Sequence, residues 1–182
     1  MQRQNDNEHL GALVRTIADY PKPGIQFRDI STLLLDGNAF RATIDQLAEQ
    51  LSDHSFDLIA GIEARGFIFA SALAYKLGLG VLMLRKQGKL PGECIGVDYD
   101  LEYGTDRIEM HADACGAGKR VLLVDDLIAT GGTALAAARL LRDAGAEVVV
   151  AAFVIDLPDL GGAERLGGAG IAARALIAFA GH

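Results

Sequence analysis

Two aspartates, Asp125 and Asp126, stand side by side after the apolar run Val121–Val124, and a Thr130-Gly131-Gly132-Thr133 turn follows closely. Glycines let a backbone curl so that successive N–H groups converge, which makes a nest for an anion. A helix starting at that turn adds the positive end of its dipole, and the threonine hydroxyls add two donors. Ionised aspartates only accept hydrogen bonds, so they repel a phosphate and suit hydroxyl groups instead. An anion and a vicinal diol a few ångströms apart is the chemical outline of a ribose 5-phosphate. Capping the next helix is the plainer use of a strand-end Asp, yet it accounts poorly for a pair ahead of a glycine turn. The turn is not a Walker loop, because GxxxxGK[ST] occurs nowhere in the chain.

The surrounding pattern says what must position these residues. "FDLIAGI", "GVLMLR", "KRVLLVDD" and "AEVVVAAFVI" read as buried strands, separated by the helical stretches "GFIFASALAYKLG" and "TALAAARLLRDAG". Strands rich in Val, Leu and Ile joined by such helices imply βαβ units and a largely parallel sheet. Right-handed crossovers bring the strand carboxyl ends to one edge, and ligands bind outside that edge. Three strand ends therefore become site walls: Gly61–Arg65, Arg85–Lys89 and Asp125–Thr133. They carry four cations, Arg65, Arg85, Lys86 and Lys89, in a chain of formal charge −7. A surface ion pair would explain Arg65 alone; a cluster of four suits a diphosphate.

The flanks are less regular. Leu10, Leu13, Val14 and Ile17 have helical spacing, which predicts an amphipathic helix over 7–19. Pro21, Pro23 and Gly24 break it, and a second helix is predicted over 39–51. Residues 88–113 interrupt the βαβ rhythm with glycines, a proline and short alternating segments, as a projecting β-hairpin would. The tail beyond Leu166 is rich in Gly and Ala and reads as a last strand or helix.

Length and charge exclude several classes. At 182 residues the chain suits one well-cored domain, not two. Its acidity argues against nucleic-acid binding, though not against a small phosphorylated ligand. No apolar run approaches the roughly 18 residues of a membrane span, and "MQRQNDNEHL" offers no secretory signal. Cys94 and Cys115 form no CxxC pattern and are expected as reduced thiols, with a disulfide open but unsupported. The histidines are scattered, so no metal site is expected in the protein itself.

"VDDLIATGGT" resembles the phosphoribosyl-diphosphate signature of the type I phosphoribosyltransferases. "PKPGIQFRDI" (21–30), "GIEARGFIFA" (61–70) with "RKQGKLPGE" (85–93), and "DLEYG" (100–104) are similar to the adenine-specific branch of that family, in the same order. The resemblance implies one α/β domain over 1–182, with a mostly parallel sheet flanked by helices. A lid hairpin over about 92–112 and a small hood from about 7–35 and 156–182 complete it. The implied activity transfers the 5-phosphoribosyl group of phosphoribosyl diphosphate to adenine, giving AMP and pyrophosphate in purine salvage. A cytoplasmic homodimer is implied, with Mg²⁺ bound mainly through the diphosphate.

By resemblance, Ala129, Thr130, Gly131, Gly132 and Thr133 hold the 5-phosphate, and Asp125 and Asp126 take the ribose hydroxyls. Glu63, Ala64, Arg65, Arg85, Lys86 and Lys89 form the pyrophosphate side, with Arg85 the residue that reaches a neighbouring subunit. Gln26, Phe27, Arg28 and Leu157 surround adenine, although Phe27 fits a core anchor equally well on sequence alone. Glu102 and Tyr103 lie on the lid, Glu102 as an acid/base group and Tyr103 as a cover over the reacting centre, where Arg65 also acts. A transferase for another nucleobase shares the TGGT turn but not the base-side motifs. A non-catalytic regulator that binds phosphoribosyl diphosphate would need a DNA-binding module, for which the chain has no room.

Overall fold

A computed structural model of the chain describes residues 7–101 and 104–181. Its elements in order are α1 (Glu8–Gly11), β1 (Arg15–Ala18), β2 (Gln26–Asp29), α2 (Ser31–Leu35), α3 (Gly37–Gln50), β3 (Leu58–Ile62), α4 (Gly66–Leu77) and β4 (Gly80–Lys86). Then come β5 (Cys94–Leu101), β6 (Gly104–His111), β7 (Arg120–Ile128), α5 (Gly132–Asp143), β8 (Glu147–Asp156), a 3₁₀ turn (Pro158–Leu160), α6 (Gly162–Gly168) and β9 (Ala172–Ala178).

Seven strands make one sheet in the order β5-β6-β4-β3-β7-β8-β9, and β1 and β2 form a separate ribbon. From β4 to β9 every neighbouring pair is parallel. The strand order reverses where the chain passes from β4 to β7, so the gap beyond the carboxyl ends of β3 and β7 is the expected ligand crevice. Helices cover both faces. Leu47 of α3 and Phe69 and Leu73 of α4 pack under one face with Leu122 and Val124. Ala137 and Leu141 of α5, with Leu166 of α6, close the other over Leu123 and Phe153. Val121–Val124 are fully buried because both faces are covered.

Two expectations give way here. The predicted helix over 7–19 is one turn of α1 followed by strand β1. Leu10 and Val14 are buried as that pattern required, but Ile17 is 41% exposed. The reason is pairing: β1 lies antiparallel to β2, Thr16 opposite Arg28 and Ile17 opposite Phe27, and a helix of about a dozen residues is marginal without a partner face. Likewise β7 does not stop at the aspartates. It runs on to Ile128 because β8 continues beside it, Leu127 opposite Ile155 and Ile128 opposite Asp156.

The hairpin β5–β6 is joined at its base to the large sheet, where Arg85 and Lys86 pair with Glu109 and Ile108. It folds back against α5 rather than standing clear of the molecule. The two chain ends meet at Arg28, whose guanidinium donates to the Ala180 carbonyl at 3.2 Å and stacks 4.4 Å from the Phe179 ring centre. Residues 172–178 themselves belong to the large sheet as β9. Among the described residues no helix is long and apolar enough to cross a membrane.

Candidate active site

A cavity of about 440 Å³ opens beyond the ends of β3 and β7, within the usual size of a small-ligand pocket. Its walls bring together Glu63, Ala64 and Arg65 after β3, Lys86 at the end of β4, Asp125 and Asp126 in β7, and Ala129–Thr133. These sequence-predicted residues are distant in the chain and converge at one sheet edge.

The turn before α5 is shaped from outside. Gly131 has a φ of +79°, and a Cβ there would lie 3.0 Å from the Gly162 carbonyl. The turn thus packs backbone against backbone on the start of α6, and Arg165 donates to the Thr130 carbonyl at 2.8 Å. Helix α5 has no side-chain cap, so the first-turn amides of Gly132, Thr133 and Ala134 stay free, and all three residues line the cavity. Free amides and a helix dipole aimed at a cavity make an anion site.

The aspartates occupy different surroundings. Asp126 is 5% exposed and its Oδ2 lies 2.9 Å from Arg65 Nε. Asp125 sits against the start of α4, where a Cβ on Gly66 would come within 2.8 Å of its Oδ1. That oxygen accepts the Asp126 amide at 2.9 Å. Burial and the neighbouring Asp126 charge push the Asp125 carboxyl well above the usual carboxylate range. Burial raises Asp126 too, but the Arg65 guanidinium opposes it. Both carboxyls are thus shifted upward, Asp125 further than Asp126 because Arg65 lies beside Asp126.

The cations separate. Arg65 and Lys86 face the cavity. Arg85 turns to Glu63 Oε2 at 2.8 Å and to the Lys89 carbonyl at 3.1 Å, and Lys89 is exposed. The base-side residues Gln26, Phe27, Arg28 and Leu157 lie beyond the cavity wall. Phe27 approaches it through Arg65, whose guanidinium carbon is 5.2 Å from the ring centre. Leu157 is 7% exposed, and its amide donates to the Ile128 carbonyl at 3.0 Å. Glu102 and Tyr103 fall outside the described residues.

Sequence reasoning missed two wall residues, Tyr99 and Asp106 of the hairpin. They oppose each other across β5 and β6, a register that composition does not reveal. It also missed the Gly161–Gly162 support beneath the turn; the adjacent glycines were the available signal. Among the described residues no group of three or more His, Cys, Asp or Glu could hold a metal ion.

A parallel sheet with an anion-binding helix start, two carboxylates and facing cations defines an α/β protein built for a phosphorylated sugar. Residues 31–165 match the phosphoribosyl transferase domain. The chain is 61% identical over 175 residues to an adenine phosphoribosyltransferase of Erythrobacter litoralis, covering 96% of this chain and 98% of the relative. The solved adenine phosphoribosyltransferase of Thermoanaerobacter pseudethanolicus superposes with a TM-score of 0.91 at 46% identity, over 94% of this chain and 99% of that one. The Saccharomyces cerevisiae enzyme, solved with D-2,5-dideoxy-2,5-imino-altritol 1,6-bisphosphate and adenine, gives 0.86 at 36% identity, over 93% and 97%. The chain belongs to the phosphoribosyltransferase family, in its adenine phosphoribosyltransferase branch.

Proposed function

We propose that the protein transfers the 5-phosphoribosyl group of phosphoribosyl diphosphate to N9 of adenine, releasing AMP and pyrophosphate for purine salvage. The observation that carries the reading is the single cavity in which free first-turn amides of α5, the Asp125–Asp126 pair and the Arg65 and Lys86 cations face one another. That order fits the substrate from 5-phosphate through ribose to diphosphate. Adenine as acceptor is supported by the relatives, among them the yeast enzyme solved with adenine and a sugar-like bisphosphate.

In this reading Thr130–Thr133 and the α5 amides bind the 5-phosphate, and Asp125 and Asp126 accept from the ribose hydroxyls. Arg65 and Lys86 draw the diphosphate away, assisted by Glu63, Ala64 and Lys89. Breaking the glycosidic C–O bond leaves positive charge on the ribose ring, which the ionised Asp126 stabilises electrostatically. Mg²⁺, bound through the diphosphate, would offset its charge beside Arg65 and Lys86. Phe27 stacks on the purine with Gln26 and Leu157 around it, and Arg28 braces the ribbon against the chain end. Glu102 and Tyr103 complete the lid, which keeps water from the cationic centre. If Glu102 moves the purine proton, Glu102→Gln lowers turnover; unchanged turnover removes that role.

The working form we assign is a cytoplasmic homodimer. Cys94 and Cys115 are unpaired, as the reducing cytosol favours. Ile68 and Tyr75 of α4 and Val81 and Met83 of β4 leave an apolar face exposed, along the strand that also carries Arg85.

The test is a base panel: protein, phosphoribosyl diphosphate and Mg²⁺ with each nucleobase, following pyrophosphate release. Release with adenine alone is expected. Release only with another base overturns the acceptor, and none with any base points to a non-catalytic binder.

A further inference from the structure

Tyr99 and Asp106 line the cavity yet belong to none of its strand ends. They oppose each other in the β5–β6 register, and Asp106 touches Lys86, which the phosphoribosyl reading uses. The Asp106 carboxylate is fully engaged. Oδ1 accepts the Arg107 amide at 2.8 Å, while Oδ2 accepts the Tyr99 hydroxyl at 3.3 Å and lies 3.0 Å from Lys86 Nζ. The hairpin pair thus reaches the cation at the end of β4.

The chemistry of each contact is directional. The phenol gives its one proton to Asp106, so Tyr99 steadies that carboxylate. Lys86 has three donors, and Asp106 uses one. Its side chain is 58% exposed while that of Asp106 is 20% exposed, so the carboxylate is the fixed partner and the ammonium the held one. Because the Arg107 amide and Tyr99 anchor Asp106 independently, a diphosphate can take the other two Lys86 donors without displacing it.

We propose that Asp106 is a positioning residue of the diphosphate subsite, holding Lys86 toward the diphosphate, with Tyr99 fixing Asp106 in place. This rests on the phosphoribosyl diphosphate reading of the cavity. It makes the hairpin wall, and not only the lid tip, part of substrate recognition.

Calorimetric titration with the two halves of the substrate separates the subsites. Ribose 5-phosphate and inorganic pyrophosphate with Mg²⁺ are titrated into the wild type, Tyr99→Phe and Asp106→Asn, both near-isosteric changes. Asp106→Asn should weaken pyrophosphate by about 10-fold and leave ribose 5-phosphate within about 2-fold, the scale of one lost charge-assisted hydrogen bond. Tyr99→Phe should act in the same sense by about 3-fold, since Asp106 then keeps only the Arg107 amide as its anchor. In both variants KM for phosphoribosyl diphosphate rises while kcat holds. Equal weakening of both halves by either variant would mean a loosened hairpin and overturns the proposal, as does no change. A wild type that binds neither half sinks the phosphoribosyl reading itself.

Discussion

Asp125 and Asp126 are adjacent, identical and physically unlike. Burial raises both carboxyls, but Arg65, 2.9 Å from Asp126, opposes the shift there; Asp125 is pushed upward by burial first and by Asp126 second. A carboxyl whose folded pKa is raised favours the folded state at pH below its unfolded value and loses that contribution as pH rises through the folded value. At neutral pH burying the Asp125 carboxyl therefore costs stability. Asp125→Asn should stabilise the protein by about 1–3 kcal/mol at pH 7, since replacing a buried ionisable group by a neutral one is often stabilising. The midpoint should rise by several degrees, roughly 2–4 °C per kcal/mol at this size. Activity should fall about 10- to 100-fold if the carboxylate accepts a ribose hydroxyl, the scale of one charge-assisted hydrogen bond. Thermal melts at pH 4 and pH 7 with parallel kinetics decide it: the gain should vanish near pH 4. A variant less stable at pH 7 and equally active would refute both halves.

At the scale of elements, Asp29 ties the two strands of the ribbon together and to the start of α2. Asp29 Oδ1 accepts the Ser31 hydroxyl at 2.6 Å and the Ser31 amide at 2.9 Å, and Oδ2 accepts Arg15 Nε at 3.1 Å. The Ser31 bonds first, and Arg15 after them, lower the Asp29 pKa to about 2. A depressed carboxylate stabilises above the unfolded value, about 4, and that contribution disappears as pH falls toward 2. Asp29→Ala should cost about 2 kcal/mol in urea unfolding at pH 7, and clearly less at pH 2.5. A cost independent of pH would place the effect in packing instead. This junction also marks where sequence reading ran out. The strands β3, β4, β7 and β8 and the helices α4 and α5 were legible because apolar runs and helical periods are local signals. The ribbon was not: Leu10, Val14 and Ile17 carry a helical period, and only Arg28 and Phe27 across the turn make 15–18 a strand. Tyr99 and Asp106 were hidden for the same reason, being partners by register.

For the whole molecule, the exposed apolar face is the feature that needs a partner. Tyr75 is 92% exposed and Met83 46%, and Val81 and Met83 point from β4 to the layer that α4 occupies. In a dimer, Met83→Glu would bury an unpaired charge, a change worth several kcal/mol. It should shift elution from dimer to monomer at micromolar concentration, with the far-ultraviolet spectrum retained. A wild type that already elutes as a monomer would dismiss the dimer. Activity should fall with dissociation if Arg85 serves a neighbour's site, and stay constant if its pairing with Glu63 in its own chain is its working state.

The β1–β2 ribbon shares no strand pairing with the large sheet, and it precedes the 31–165 span matched by the family domain. With the ribbon holding the base as proposed, base recognition and sugar chemistry would be separable cassettes. A ribbon transplanted over 15–29 would have to keep only three seams: Asp29 with Ser31, Phe27 with Arg65, and Arg28 with the chain end. Redirecting this scaffold to a new acceptor is a grafting problem at its rim, with the catalytic floor left untouched.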